Sequence, residues 1–225
     1  MTGPRQRLAL ALDLDRLEEA LALARGLAPW FGIAKVGLEL YSAAGPAAVE
    51  RLVAEGFEVF VDLKLHDIPT TVRRSAGVLA RLGAGYLTVH AAGGRPMLEA
   101  AVEGAATAGP QVAVLAVTVL TSEPSPPAGA VAERAALASA AGCAGVVCAV
   151  TEIEAVRAAA PGLLVVVPGT RPAGVPADDQ ARTGTPAQAL ERGASILVVG
   201  RAVTAAADPA AAAARLVASL PASGG

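Results

Sequence analysis

Residues 60–69 read Phe60-Val61-Asp62-Leu63-Lys64-Leu65-His66-Asp67-Ile68-Pro69. A strand turns successive side chains to opposite faces, so Phe60, Asp62 and Lys64 share one side and Val61, Leu63 and Leu65 the other. The three aliphatic residues suit contact with covering helices. Asp62 and Lys64 then point inward, where charges are rare unless they are paired or used. Asp67 follows in a loop, and Pro69 stands where a helix can begin. The stretch is one strand–loop–helix unit with its charges at the C-terminal end of the strand.

The same unit recurs on both sides of it. Apolar and β-branched runs at 8–14, 33–38, 59–65, 86–91, 111–120, 144–150, 163–167 and 195–200 read as strands. Helical stretches lie between them near 16–27, 46–55, 70–82, 96–106, 130–141, 152–159 and 186–192, with a last one near 209–219. Strict alternation implies a parallel sheet, and a continuous apolar strand such as LLVVV at 163–167 suits a sheet covered on both faces. A doubly wound open sheet is the competing architecture. Eight units within 225 residues favour closure, so the expected fold is an α/β (β/α)8 TIM barrel forming a single domain over residues 1–225. No linker divides the chain. The Pro-rich 123–129 (EPSPPAG) and the Gly/Pro/Asp-rich 170–185 both follow strands, at the end where such barrels carry active-site loops.

Composition removes several function classes. The apolar fraction is 54% and the mean hydropathy +0.53, so a membrane reading has to be tested. The longest charge-free stretches, 104–122 and 135–151, are broken by Gly109 and Pro110 and by Gly142 and Gly145. Neither gives the roughly 20 unbroken apolar residues a spanning helix needs. A net charge of −2 without a block of Lys and Arg argues against a nucleic-acid partner. Cys143 and Cys148 form neither a metal-ligand pattern nor a disulfide framework, which fits a reducing compartment. The first residues carry Arg5 and Arg7 with no apolar run leading to a cleavage site, so the expected location is the cytoplasm.

An isolated D-x-K on a strand reads equally well as a structural ion pair. Here Asp13 ends the first strand candidate, Lys35 interrupts the second, and His90 ends the fourth. Polar residues directed inward at the same end of four successive strands suggest one shared site. Gly169 follows the seventh strand, and Gly200 with Arg201 the eighth. Either dipeptide alone reads as an ordinary turn, but that pair of loops is a frequent phosphate site in barrels. His66 reads as a solvated turn residue, His90 as a support near the site, Trp30 as packing and Glu39 as structural.

The stretch DLKLHDIPTT at 62–71 resembles the D-x-K-x-x-D-I signature of the orotidylate decarboxylases. The resemblance runs along nearly the whole chain. ALD ending at Asp13, KVG at 35–37, TVHA at 88–91, LTS at 120–122, PGTR at 168–171, DQAR at 179–182 and VGRAVT at 199–204 fall in the family's order. The D-x-K-x-x-D element is shared with a wider superfamily that includes Mg2+-dependent hexulose-phosphate synthases and keto-gulonate-phosphate decarboxylases. Those relatives carry an acidic residue where this chain has Lys35. Together with Ser122 and Gln180, Lys35 points to the orotidylate branch.

The resemblance implies a reaction that needs no metal and no organic cofactor, the decarboxylation of orotidylate to uridylate. It implies a catalytic tetrad of Lys35, Asp62, Lys64 and Asp67, with Lys64 delivering a proton to C6 and Asp62 facing the departing carboxylate. By the same resemblance Lys35 orients Asp62, and Asp13 binds ribose. Ser122 meets the pyrimidine edge, and Gln180 bridges phosphate and pyrimidine. Gly169, Arg171, Gly200 and Arg201 hold the phosphate. It further implies a homodimer in which Asp67 and Thr71 complete the partner's site. The chain departs from the family pattern in the Pro-rich 123–129 loop and in small residues within 171–180, which bears on loop closure. A catalytically silent phosphate binder is the rival from another class. It would be expected to have lost one of the two site lysines or Asp62, and all three are present.

Overall fold

Eight short β-branched runs do pair into a closed sheet. The computed structural model describes residues 4–109, 112–170 and 184–221. Its strands are β1 (Leu8–Ala11), β2 (Ile33–Val36), β3 (Glu58–Leu65), β4 (Ala84–His90), β5 (Ala113–Val117), β6 (Gly145–Val147), β7 (Leu164–Pro168) and β8 (Ile196–Val199). They form a closed barrel in sequence order, each parallel to its neighbours, with β8 returning to β1 so that Leu8 pairs with Leu197. The open-sheet alternative is thereby set aside. A chain that alternates strand and helix covers the outer face with α1 (Leu17–Leu27), α2 (Leu38–Ala44), α3 (Pro46–Ala54), α4 (Pro69–Arg81), α5 (Gly94–Ala106), α6 (Ala130–Ala140), α7 (Ile153–Ala159), α8 (Pro186–Glu191), α9 (Arg201–Thr204) and α10 (Pro209–Ala218).

Alternation along the strands sorts the apolar residues into two cores. Leu8, Leu10, Val59, Val61, Leu87 and Val89 face outward and join the helix-side core. Ala9, Ile33, Phe60, Leu115, Val166 and Ile196 face inward and fill the barrel. The inner core is smaller and closes the lower barrel, with the Phe60 and Tyr86 rings meeting edge to face at 6.0 Å. Above it the inward positions turn polar, and the site begins there.

Two local devices hold the barrel's outer layer and its lower end in place. Helices α4 and α5 cross closely because glycines line the crossing. A Cβ at Gly104 would run into the backbone carbonyl of Arg73, and one at Gly77 would come within 3.1 Å of Thr107 Oγ1. At the opposite end of the barrel from the charged residues, Arg157 donates to the carbonyls of Pro161 (3.0 Å) and Leu163 (2.7 Å), to the carbonyl of Gly193 and to Ser195 Oγ (3.3 Å). It ties the entry of β7 to the entry of β8.

The expected strands are right in number and order but mostly too long. The stretch 8–14 gives a strand only to Ala11, and 111–120 only Ala113–Val117. Helices α2 and α9, which are not among the expected helical stretches, fill the turns after β2 and β8. Trp30 packs against the helix-side core as expected, and Glu39 sits exposed in the first turn of α2.

Candidate active site

Four charged side chains meet at the C-terminal mouth of the barrel. Lys35 comes from β2, Asp62 and Lys64 from β3, and Asp13 from the turn after β1. Lys35 Nζ donates to Asp13 Oδ1 at 3.0 Å and lies 3.9 Å from Asp62 Oδ2. Lys64 Nζ lies 3.0 Å from each oxygen of Asp62. The charges therefore run acid, base, acid, base across the opening. The Lys35 and Asp62 side chains are only 9% and 16% exposed, whereas Lys64 keeps 32% and Asp13 56%. Alternation is what makes this burial tolerable, since an isolated buried charge would cost several kcal/mol. It also leaves Lys64 and Asp13 as the members that reach the opening.

Strict alternation of side chains does not survive to Lys64. Its backbone adopts φ 51°, the one positive value among described non-glycine residues. The ladder to β4 is interrupted at the same place: Val61 pairs with Leu87 and Leu65 with Val89, so between these pairs three residues of β3 face one of β4. Such a left-handed residue costs about 1–3 kcal/mol, which the surrounding structure must hold. The kinked Lys64 amide donates to Thr88 Oγ1 at 2.9 Å, and Thr88 Oγ1 in turn donates to Asp62 Oδ1 at 3.0 Å. Gly37 closes the other side. A Cβ there would lie 2.9 Å from Lys35 Nζ and 3.0 Å from Asp13 Oδ1.

Beneath the charges the cavity has an apolar floor of Ala11, Phe60, Val147 and Val198. Across from Lys64 it is walled by Gly169, Thr170, Gly200 and Arg201, from the turns after β7 and β8. Gly169 has φ 74°, a conformation that glycine adopts without steric cost. One wall thus offers backbone and a guanidinium, and the other an ammonium–carboxylate array.

The remaining expected residues fall elsewhere. Asp67 and Thr71 do not line this cavity. They are exposed and border an adjoining depression that Lys64, His66 and Ser75 also line, and Asp67 Oδ1 accepts the Ile68 amide at 2.6 Å. Ser122 is exposed at the rim, while its neighbour Thr121 lines the cavity. Arg171 and Gln180 lie outside the described residues. His66 is exposed, as a turn residue would be, yet its ring stacks on His90 at 5.4 Å. Burial lowers the His90 pKa from its ordinary value, helped by the charges of His66, Arg134 and Lys64. No group of three or more His, Cys, Asp or Glu side chains arranged to hold a metal occurs among the described residues.

Sequence reasoning missed Thr88, Gly37 and Thr121. Thr88 shares inward parity with His90 on the same strand, so period-two geometry could have singled it out.

Residues 6–216 match the family model described as orotidine 5'-phosphate decarboxylase / HUMPS family. The chain is 52% identical to an orotidine 5'-phosphate decarboxylase of Anaeromyxobacter sp. (strain K), over 96% of this chain and 99% of that one. It is 49% identical to one of Halorhodospira halophila, over 99% and 98%. Among solved structures it resembles the orotidine 5'-phosphate decarboxylase of Lactobacillus acidophilus, with TM-score 0.81 and 36% identity over 94% of this chain and 97% of that one.

Proposed function

The chain belongs to the orotidine 5'-phosphate decarboxylase / HUMPS family, and we propose that within it this protein decarboxylates orotidine 5'-monophosphate to uridine 5'-monophosphate in pyrimidine biosynthesis. The observation that carries the choice within the family is Lys35. A Mg2+-dependent sugar-phosphate lyase of this superfamily would have a carboxylate at that position. Here a buried ammonium occupies it, bound to Asp13 and facing Asp62.

Each residue's role is argued from its place in the site. The bond from C6 to the carboxyl carbon breaks, CO2 leaves, and the electron pair stays at C6. Lys64, held at 3.0 Å from Asp62 and partly open to the cavity, stabilises that developing charge with a fixed ammonium and then gives C6 its proton. Asp62 faces the departing carboxylate, and Lys35 keeps Asp62 and Asp13 in place while Asp13 holds the ribose. Gly169, Gly200 and Arg201 take the phosphate on the opposite wall, where a guanidinium can make paired charge-assisted bonds. Arg171 and Gln180 complete the phosphate contacts, and Ser122 meets the pyrimidine edge from the rim.

The working unit is a homodimer. Asp67 and Thr71 are exposed beside the mouth, outside their own cavity, where they can serve a neighbouring copy's substrate. No described helix is long and apolar enough to cross a membrane. Both cysteines are buried, and so small a number of them suits an enzyme of the cytoplasm.

The test is direct. Purified protein mixed with orotidylate in excess chelator should bleach the orotate-type ultraviolet absorbance. Activity that chelation stops would transfer the case to the metal-dependent relatives. Absence of turnover with and without metal would leave a silent phosphate binder.

A further inference from the structure

We propose that Thr88 is a positioning residue for the decarboxylation, a single hydroxyl that sets the carboxylate of Asp62 and the backbone of Lys64 against each other. The inference rests on the proposed decarboxylase function and adds a residue to its site.

Thr88 is 1% exposed on β4, so its hydroxyl has to find partners within the protein. It has two, and their chemistry fixes its hydrogen. The Lys64 amide, 2.9 Å away, can only donate. The Asp62 carboxylate, 3.0 Å away, can only accept. A threonine hydroxyl has one hydrogen and two lone pairs, so it accepts from Lys64 and gives its hydrogen to Asp62. Both partners belong to the reacting array, and both need this help for reasons visible in the fold.

Lys64 is where the β3–β4 ladder breaks, between the Val61–Leu87 and Leu65–Val89 pairs. At φ 51° its amide is turned away from an ordinary ladder bond. The Thr88 hydroxyl replaces the missing carbonyl and so holds a strained residue whose side chain bears the proton. Asp62 would otherwise be oriented by two lysines, each on a long stem with several soft torsions. Threonine is branched at Cβ and stiff about χ1, and it stands on a paired strand. It therefore gives the carboxylate a rigid reference that the ammonium groups do not. Through one oxygen atom, the plane of Asp62 and the backbone of Lys64 become a single geometric unit. Misplacement of reacting groups by about 1 Å can cost on the order of 100-fold in rate, so this coupling acts on the chemical step.

The experiment compares Thr88→Val, which keeps shape and loses both bonds, with Thr88→Ser, which keeps the hydroxyl. Thr88→Ala removes both bonds without placing a methyl against Asp62. Steady-state kinetics with orotidylate and thermal unfolding are measured for each. We expect Thr88→Val and Thr88→Ala to lower kcat on the order of 10- to 100-fold with KM changed less than about threefold. Thr88→Ser should keep kcat within about threefold of the parent and so identify the hydroxyl as the cause. Should Thr88→Val not fold, the Ala and Ser pair carries the same comparison. Parental kcat in Thr88→Val or Thr88→Ala would overturn the proposal. A loss confined to KM, or an equal loss in Thr88→Ser, would overturn it too. A parent protein without any turnover on orotidylate would instead overturn the functional reading itself.

Discussion

Lys64 places its ammonium 3.0 Å from both carboxylate oxygens of Asp62, two residues earlier on the same strand. An undistorted strand sets such side chains side by side on one face. Here a left-handed turn of the backbone at Lys64 accompanies the ammonium's position over the carboxylate. The arrangement ties proton delivery to one local backbone state, and it makes the site's weak points predictable.

Removal of the ammonium should stop the chemistry without unfolding the barrel. Lys64→Ala is expected to lower kcat by about 10²–10⁴-fold or more, while a product analogue still binds, as titration calorimetry would read. Mixed with Asp67→Ala and allowed to exchange subunits, it should regain turnover, because one site then combines an intact Lys64 with an intact Asp67. A mixture as inactive as its components would remove the two-chain site.

Gly37 offers a subtler lever. Its backbone, at φ −88° and ψ −176°, is open to any residue. The cost of a methyl therefore falls on Lys35 Nζ and Asp13 Oδ1, which it would approach to 2.9 and 3.0 Å. Gly37→Ala should lower kcat/KM roughly tenfold, with a loss of Tm no greater than about 2–4 °C. A large fall in Tm with parental kcat/KM would contradict this.

His90 should make stability depend on acidity. Burial first, then His66, Arg134 and Lys64, lowers its pKa below the ordinary 6.5. The folded protein then binds fewer protons than the unfolded chain in that window. The contribution is complete above pH 6.5 and is lost as pH falls toward the depressed folded value. Urea unfolding between about pH 7 and pH 5 should show this decline, and His90→Gln should flatten it. An unchanged slope in the variant would assign the decline to other groups.

The α4–α5 crossing should tolerate no side chain. Gly104→Ala would drive a methyl into the Arg73 carbonyl, and backbone cannot swing aside as a side-chain tip can. We expect a loss of about 1–3 kcal/mol in unfolding free energy. Because α4 begins just after Asp67 and carries Thr71, a change in dimer strength by analytical ultracentrifugation should accompany it.

The barrel was legible because its signals are local and repeated: apolar runs of strand length, each followed by a helical stretch. Asp62 and Lys64 stood out since a charge at an inward position has few bland explanations. What the sequence concealed was geometry that depends on neighbours. Strand ends were overestimated because apolar character continues past the last paired residue, as after Thr118, whose amide and hydroxyl both donate to the Val147 carbonyl and make the last bonds from β5 to β6. The kink at Lys64 has no glycine to announce it. The resemblance points to Ser122, but which of two adjacent hydroxyls lines the cavity is decided by the turn, and there it is Thr121. The stacking of His66 on His90 joins two elements far apart in sequence, and neither residue hints at the other.

The seam between Leu8 and Leu197 has a kinetic consequence. During synthesis β1 is made first of the eight strands, yet its outer edge gains a partner only when β8 has emerged. Until then a short apolar ribbon lies bare at each flank of a growing, curved sheet, and such edges invite pairing with other chains. Closing so distant a pair is slow compared with forming any neighbouring strand–helix unit. Nascent chains stalled before Ile196 should therefore be sticky, and release of the last strand should be the moment at which they become inert.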